Sequence, residues 1–244
     1  MDAVTIAAPT VAHIDLALPF VEAGIAVLVE KPIAPSVADA DRLLAAAERG
    51  GALVAVGHTE RFNPAVVAAM PMVSSPRFIE IHRLGTFPER SLDIDVIFDL
   101  MIHDLDLLLT LVGPEVTSVE AVGVNVLTSR TDIANVRLRF ASGCIANLTA
   151  SRISRDRVRK ARFFQPQSYV SIDYAAQEVE VYRLVPTAGR PAIEGGRLPV
   201  ENAEPLRREL EDFVAAVRTG RPAGVSGRAG RDALALATRI AEMM

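Results

Sequence analysis

The apolar positions of this chain change their period part-way along. Up to residue 56 they come in short runs, Val4-Thr5-Ile6-Ala7, Ala26-Val27-Leu28-Val29 and residues 53–56, separated by amphipathic stretches over about 11–23 and 36–49. Runs without strict alternation mark strands buried on both faces. Gly24 and Gly50-Gly51 stand where helices between such strands end. The pattern predicts β-α-β-α-β with parallel strands, half of a doubly wound sheet. From Pro76 onward the period becomes two, with Val136, Leu138 and Phe140 on one face and Arg137 and Arg139 on the other. Similar runs at 77–84, 117–127, 144–152, 158–165, 169–173 and 178–184 predict a half-solvated antiparallel sheet. A helix is expected over about 95–111 and two more near 204–218 and 229–244, while 185–199 reads as a loop rich in Pro and Gly.

Composition narrows the partners. The chain of 244 residues is 50% hydrophobic with mean hydropathy +0.27. That is ample for a core. The net charge of −4 supplies no basic field for nucleic acid. The single cysteine, Cys144, excludes an intrachain disulfide framework and a cysteine-rich metal site, which makes a reducing compartment the simplest assignment. No apolar run is long enough for a membrane span and no leader pattern opens the chain, so a soluble cytoplasmic protein is expected. The four histidines, His13, His58, His82 and His103, fall on separate elements without ligand-like spacing, so no metal is expected.

Two features carry candidate chemistry. Glu30-Lys31-Pro32 ends the second apolar run, and ligands of open α/β sheets bind beyond the carboxyl ends of the strands. Pro32 stops the strand by removing a donor and fixing φ. On the helix after Asp95, Asp99 and His103 are four residues apart and Asp106 three further. Such spacing puts all three on one face of a regular helix. A carboxylate beside an imidazole orients it and raises its basicity, as a general base near neutral pH requires. A structural ion pair is the competing account, weakened by Ile97, Phe98, Leu100, Met101, Ile102 and Leu105, which mark a largely buried helix.

Asp2-Ala3-Val4 through Ala8-Pro9-Thr10, Glu30-Lys31-Pro32, Gly57-His58 with Arg61-Phe62-Asn63-Pro64, and Asp99 to His103 with Asp104 occur in the order found in the Gfo/Idh/MocA oxidoreductases. The chain resembles that family over essentially its whole length. The resemblance implies an α/β fold: the C-terminal half of a Rossmann-type parallel sheet followed by an α+β domain with an open, mostly antiparallel sheet. The domains would be 1–60 and 61–244, with the last helices packing back on the first. It further implies an NAD(P)-dependent enzyme, NAD favoured over NADP, that oxidises a secondary hydroxyl of a sugar or nucleotide sugar. His103 would take the hydroxyl proton, Lys31 polarise the substrate oxygen and Asp99 orient the imidazole, with the site between the domains. Pro9, Thr10, His13, Glu30, Lys31, Pro32, Arg61 and Asn63 are the candidate cofactor contacts; Lys31, Arg83 and Asp106 are those for substrate. For His13 a helix-terminal structural role, and for Arg61 and Asn63 a capping and turn role before Pro64, stand as equal accounts.

The segments Arg77-Phe78-Ile79-Glu80, His82-Arg83-Leu84 and Pro88-Glu89-Arg90-Ser91 resemble members that act on nucleotide sugars, which points to the 3-hydroxyl of UDP-N-acetylglucosamine. Arg83 and the group Arg152, Arg155 and Arg157 are then candidate diphosphate contacts, because guanidinium forks match phosphate geometry; ordinary surface charge is the competing account for each. Inositol or polyol oxidation, an NAD-dependent glycosidase, and a non-catalytic relic that only oligomerises remain open. A homo-oligomer, dimer or tetramer, is expected through the open sheet.

The family's strand, Gly-rich turn and helix for the cofactor pyrophosphate have no counterpart here. Gly224, Gly227 and Gly230 have the wrong spacing and read as loop and cap glycines before the last helix. The chain resembles a member that starts at the fourth Rossmann strand: Met1 is either internal to a longer gene, the favoured account, or the start of a natural truncation. The chain as it stands is expected to bind dinucleotide poorly and to expose apolar surface at Val4 to Ala7.

Overall fold

The computed structural model describes residues 1–87, 94–187 and 190–244; the motif Pro88-Glu89-Arg90-Ser91 lies outside them. The chain divides into two compact units, Met1–Phe62 with Glu204–Arg239, and Asn63–Ala203 with Ile240–Met244.

The first unit follows the expected β-α-β-α-β order. Strands β1 (Ala3–Ile6), β2 (Ala26–Glu30) and β3 (Val54–Gly57) are parallel neighbours in the order β1-β2-β3, with α1 (His13–Glu22) and α2 (Val37–Gly50) as crossovers. Ser36 caps α2 by accepting the Asp39 N–H at 3.1 Å. Gly51, at φ 67°, ends the helix in the left-handed conformation, which a C-terminal cap needs. On β1, Val4 is half-buried and Ile6 buried, while Thr5 and Ala7 are exposed. β3 is buried throughout and β2 as far as Val29, because helices cover both faces.

One of those covers comes from the tail. Helix α5 (Pro205–Thr219) brings Phe213 onto Ala26, Leu28 and Ala55, with Val217 packed beside them. Helix α6 (Gly227–Ala241) meets the sheet by close approach, and here the reading of Gly227 and Gly230 is corrected. A Cβ on Gly230 would sit 2.5 Å from Val56 Cγ2, and one on Gly227 would sit 2.5 Å from Leu44 Cδ2 and 2.9 Å from Val54 Cγ1. Both glycines belong to α6 and let its backbone approach the sheet. The cap is Ser226, whose hydroxyl accepts the Ala229 N–H at 3.2 Å, the usual device for an orphan donor. Just before it, the Val225 carbonyl accepts from the Val56 N–H at 3.2 Å and Ser226 bridges Ala55. Together they cover the outer edge of β3. These contacts assign Glu204–Arg239 to the first unit, whereas the expected domain of 61–244 held both tail helices.

The second unit is an eight-stranded sheet in the order β11-β10-β9-β8-β4-β7-β6-β5. Its strands are β4 (Phe78–Leu84), β5 (Val116–Val124), β6 (Ile133–Phe140), β7 (Ile145–Ser151), β8 (Val158–Gln165), β9 (Ser168–Asp173), β10 (Glu178–Val185) and β11 (Ala192–Arg197). Only β4 and β7 pair in parallel; every other pairing is antiparallel. Strand β11 lies in the segment expected to be loop. Its sequence Ala-Ile-Glu-Gly-Gly-Arg carries almost no apolar alternation, and it is held as an exposed edge by its ladder to β10. Gly195 permits that ladder: it has φ +145°, and a Cβ there would lie on the Val181 carbonyl. Glycine alone takes such a conformation readily.

One face of the sheet is apolar: Ile79 and Ile81, Val136 and Leu138, Ala146 and Leu148, Phe163, Val170 and Ile172 are buried. Helices α3 (Pro64–Ala69) and α4 (Ile102–Leu111) belong to this unit. The other face is half-solvated. It carries the register-paired aromatics Phe78, Phe164, Tyr169 and Tyr182 in an unbroken ladder of ring contacts at 5.6, 5.2 and 6.3 Å, pairs of the kind that stabilise a sheet. The helix expected over 95–111 forms in two parts, a π-helical turn Ile97–Met101 followed by α4. Among the described residues no helix is long and apolar enough to cross a membrane.

The packing of α6 on β3 sets a test. Gly230→Ala gains up to about 1 kcal/mol of helix propensity, yet the clash with Val56 should outweigh it and leave a net loss of about 1–3 kcal/mol in urea unfolding. Combining it with Val56→Ala should show a coupling of at least ~0.5 kcal/mol that relieves the loss.

Candidate functional site

The first unit gathers its candidates at the carboxyl ends of β1 and β2. After β1, the exposed Pro9 leads into a 3-10 turn, Thr10–Ala12, and then α1. After β2, half-buried Lys31 precedes a cis peptide to Pro32, and Pro32, Ile33 and Ala34 turn into the interior. His13 ties the two segments together: its Nδ1 lies 2.9 Å from the Pro32 carbonyl and its Nε2 2.8 Å from that of Ala8. It is 1% exposed. With each ring nitrogen within hydrogen-bond distance of a backbone carbonyl, His13 is a strut between loops, the structural one of its two expected accounts. Asn63 fills the capping role. Its Oδ1 accepts the Ala65 N–H at 3.0 Å as the cap of α3, and its Nδ2 donates to the Tyr174 carbonyl at 3.0 Å. Arg61 lies half-buried on the 3-10 turn Thr59–Phe62.

Glu30 is drawn into the same corner. It pairs with Gly57 across the β2–β3 ladder, and a Cβ on Gly57 would stand 3.0 Å from its Oε2, so the carboxylate occupies the space glycine leaves. Oε2 accepts the Lys31 N–H at 3.2 Å. Sequence reasoning passed over Glu209 of α5, which is 2% exposed and accepts from the Thr59 hydroxyl at 3.3 Å. Burial pushes its carboxyl up to about 8, helped by the charges of Glu30 and Asp212 and opposed by the Thr59 hydroxyl.

In the second unit Asp99 and His103 are half-buried on the helix that follows residue 95. The π-helical turn modifies the expected single face: Asp99 sits inside it and His103 just beyond it, so regular α-helical spacing does not run unbroken from Asp99 to Asp106. Single π turns of this kind occur often at functional sites. The helix is anchored at two places. Arg83 Nε and Nη2 each donate to Asp104 at 2.8 Å. This buried pair is two-pronged, and the guanidinium carbon lies 5.3 Å from the centre of the Tyr174 ring. Upstream, Arg152 donates to Asp132 at 2.8 Å, to the Ile94 carbonyl at 2.6 Å and to Thr128 Oγ1 at 3.0 Å, while Asp95 accepts the Thr131 N–H at 2.7 Å.

Asp132 also accepts three successive backbone N–H groups, from Val126, Leu127 and Thr128. Burial would raise its carboxyl, but the Leu127 and Thr128 amides, the Arg152 guanidinium and the Thr128 hydroxyl outweigh that and hold it well below the usual carboxylate range.

Arg83 and Arg152 are therefore held by buried carboxylates. They are 4% and 2% exposed, so a buried structural ion pair stands as the competing account for each. Asp106 is 1% exposed, whereas Arg155 and Arg157 are exposed. The missed signal was phase: Arg83 follows Ile79 and Ile81, and Arg152 follows Ala146, Leu148 and Ala150, at the inward parity of their strands. Among the described residues no group of three or more His, Cys, Asp or Glu could hold a metal.

A parallel sheet followed by a large, mostly antiparallel one is the architecture of a class of dehydrogenases. The chain belongs to the Gfo/Idh/MocA oxidoreductase family. Residues 1–58 match its NAD-binding Rossmann fold and residues 76–168 its C-terminal domain. Among curated proteins it is 38% identical to the UDP-N-acetylglucosamine 3-dehydrogenase of Acidithiobacillus ferrooxidans, over 98% of this chain and 78% of that one. It is 29% identical to the inositol 2-dehydrogenase of Rhizobium meliloti, over 97% and 76%. A solved structure of the Acidithiobacillus enzyme superposes with TM-score 0.93 at 37% identity, covering 100% of this chain and 78% of that one. Levoglucosan dehydrogenase in complex with NADH and levoglucosan shares the fold at TM-score 0.87 and 20% identity, covering 100% and 78%.

The buried pair under α4 separates structural from ligand-binding roles. Arg83→Ala strands the Asp104 charge and should cost about 3–5 kcal/mol in denaturant unfolding; an arginine that met substrate would instead raise KM and leave the unfolding midpoint in place.

Proposed function

We propose that this protein oxidises the 3-hydroxyl of UDP-N-acetylglucosamine to a ketone, with NAD as hydride acceptor. The observation that carries the substrate is the 38% identity, over 98% of the chain, to an enzyme named for that reaction. The residues fit a nicotinamide cofactor at the strand ends of the first unit: exposed Pro9, half-buried Thr10 and half-buried Lys31 stand on loops that His13 pins together, so a planar ring would meet a fixed edge. Pro9, Thr10, Lys31 and Arg61 are the residues that would hold it. The nicotinamide supplies the acceptor for the hydride that leaves the carbinol carbon.

His103 takes the hydroxyl proton as the C–O bond becomes a carbonyl. It is half-buried, and such an imidazole suits a base that must be neutral before it acts. Asp99 orients that imidazole. The Lys31 ammonium stabilises negative charge on the substrate oxygen as the proton departs. Arg155 and Arg157, exposed where Arg83 and Arg152 are buried, are the arginines left for the diphosphate. The half-solvated aromatic face of the large sheet supports assembly of copies of the chain.

Inositol oxidation is the second reading, favoured by the 29% identity to an inositol 2-dehydrogenase over 97% of the chain. NADH formation on UDP-N-acetylglucosamine with none on myo-inositol is the expected result; the reverse preference would replace the first reading with the second. Lys31→Met and His103→Ala should each lower kcat by about 10²–10⁴-fold with thermal midpoints close to the parent's. Normal turnover in both would remove these residues from the chemistry.

A further inference from the structure

We infer that Glu209 is a positioning residue for Lys31: buried on α5 and tied through Thr59 to the turn after β3, it backs the corner where the Glu30 carboxylate fills the space over Gly57 and fixes the Lys31 backbone N–H. This inference rests on the reading of Lys31 given above.

The geometry joins three elements. Glu30 stands at the end of β2, and its carboxylate fills the space over Gly57 at the end of β3. Two residues after Gly57, the Thr59 hydroxyl donates to Glu209 Oε2. Among the described residues, Glu209 Oε1 is buried without a hydrogen-bond partner. An ionised carboxylate leaves no such oxygen unsolvated without a large cost, whereas a protonated acid carries only a dipole there.

Two carboxyls that feel each other in so dry a corner do not both ionise readily. Glu209 is the more deeply buried, at 2% exposure, while Glu30 is half-buried with the Lys31 N–H on its Oε2. The charges acting on Glu209 are Glu30 from β2 and Asp212 from its own helix; the turn packed against α5 carries Glu60 and Arg61, with His58 just before it and Lys31 just after Glu30. Its carboxyl, raised to about 8, is protonated at neutral pH and ionises as pH climbs past that value. Ionisation would set a second negative charge within the electrostatic reach of Glu30 and so weaken its hold on the Lys31 N–H. The site therefore has an alkaline limit set by a residue that touches no substrate.

The folded-state value lies above the 4.5 of the unconstrained acid, so the folded state holds the extra proton. The stability this contributes is full below about 4.5, shrinks as pH rises and is gone above about 8.

Amide NMR of the wild type and Glu209→Gln between pH 6 and 9.5 tests the coupling directly. The Lys31 amide resonance should move with a midpoint near pH 8 in the wild type and stay flat in the variant, whose carboxamide keeps the acceptor for Thr59 but cannot titrate. A flat wild-type resonance, or the same transition in Glu209→Gln, overturns the inference. This readout needs no turnover, so an error in the assigned substrate would leave it standing. In turnover, the ratio of kcat at pH 9 to kcat at pH 7 should be several-fold higher in Glu209→Gln than in the wild type; equal ratios would reduce Glu209 to a structural acid.

Discussion

A guanidinium taken out of water must keep its carboxylate, and the second unit is built around that requirement. Arg83 emerges from β4 on the inward face of the sheet, at 4% exposure, where Asp104 answers its charge. Separating the two would leave a buried charge uncompensated at a cost of about 3–5 kcal/mol, so the pair acts as a latch of fixed length and angle. Both nitrogens engage the carboxylate at 2.8 Å, one on each oxygen. The planar fork thereby sets rotation as well as distance. His103 is the residue before Asp104, so the latch fixes the helical turn that bears it. The second anchor, from Arg152 to Asp132 and the Ile94 carbonyl, fixes the chain just ahead of the π-helical turn that bears Asp99. Asp99 and His103 thus stand between two restraints, each made strong by burial.

The first unit solves its positioning problem by close approach instead of charge. Gly57, Gly227 and Gly230 admit, respectively, a carboxylate and two stretches of helix backbone into space a Cβ would fill. The sheet this compresses ends in Glu30 and Lys31, and the His13 ring bridges the segments after β1 and β2. Such packing tolerates little drift in the strand ends.

The architecture was legible because it rests on period and punctuation. Continuous apolar runs marked the parallel strands, alternation marked the large sheet, and glycine after the crossover helices marked their ends. Strand β11 escaped because an exposed edge strand needs no apolar face; its ladder to β10 is a backbone property that Ala-Ile-Glu-Gly-Gly-Arg does not advertise. The π-helical turn escaped for a related reason, since the apolar residues from Ile97 to Leu105 read the same whether one residue is inserted into the hydrogen-bond ladder or not. Helix α3 was also unread: a short helix after an Asn-Pro step offers too little period to register.

The arginines show where residue type misleads and phase does not. Arg83, Arg152, Arg155 and Arg157 look alike as candidate partners for a diphosphate, but a strand offers its residues to alternate faces without regard to their charge. The same parity that buries Ile81 and Ala150 buries Arg83 and Arg152, and an acid is then obligatory within reach. Asp132 shares the inward phase of Ala134 and Val136, so both members of that pair were readable as core residues. What alternation could not supply was Glu209, whose acidity depends on two segments far from it in sequence. A carboxyl at position 209 reads as one more charge on an amphipathic helix until the fold sets Thr59 and Glu30 against it. Lys31 is in the same position: as a strand-end charge it is ordinary, and what the fold adds is the Glu30 carboxylate on its backbone N–H.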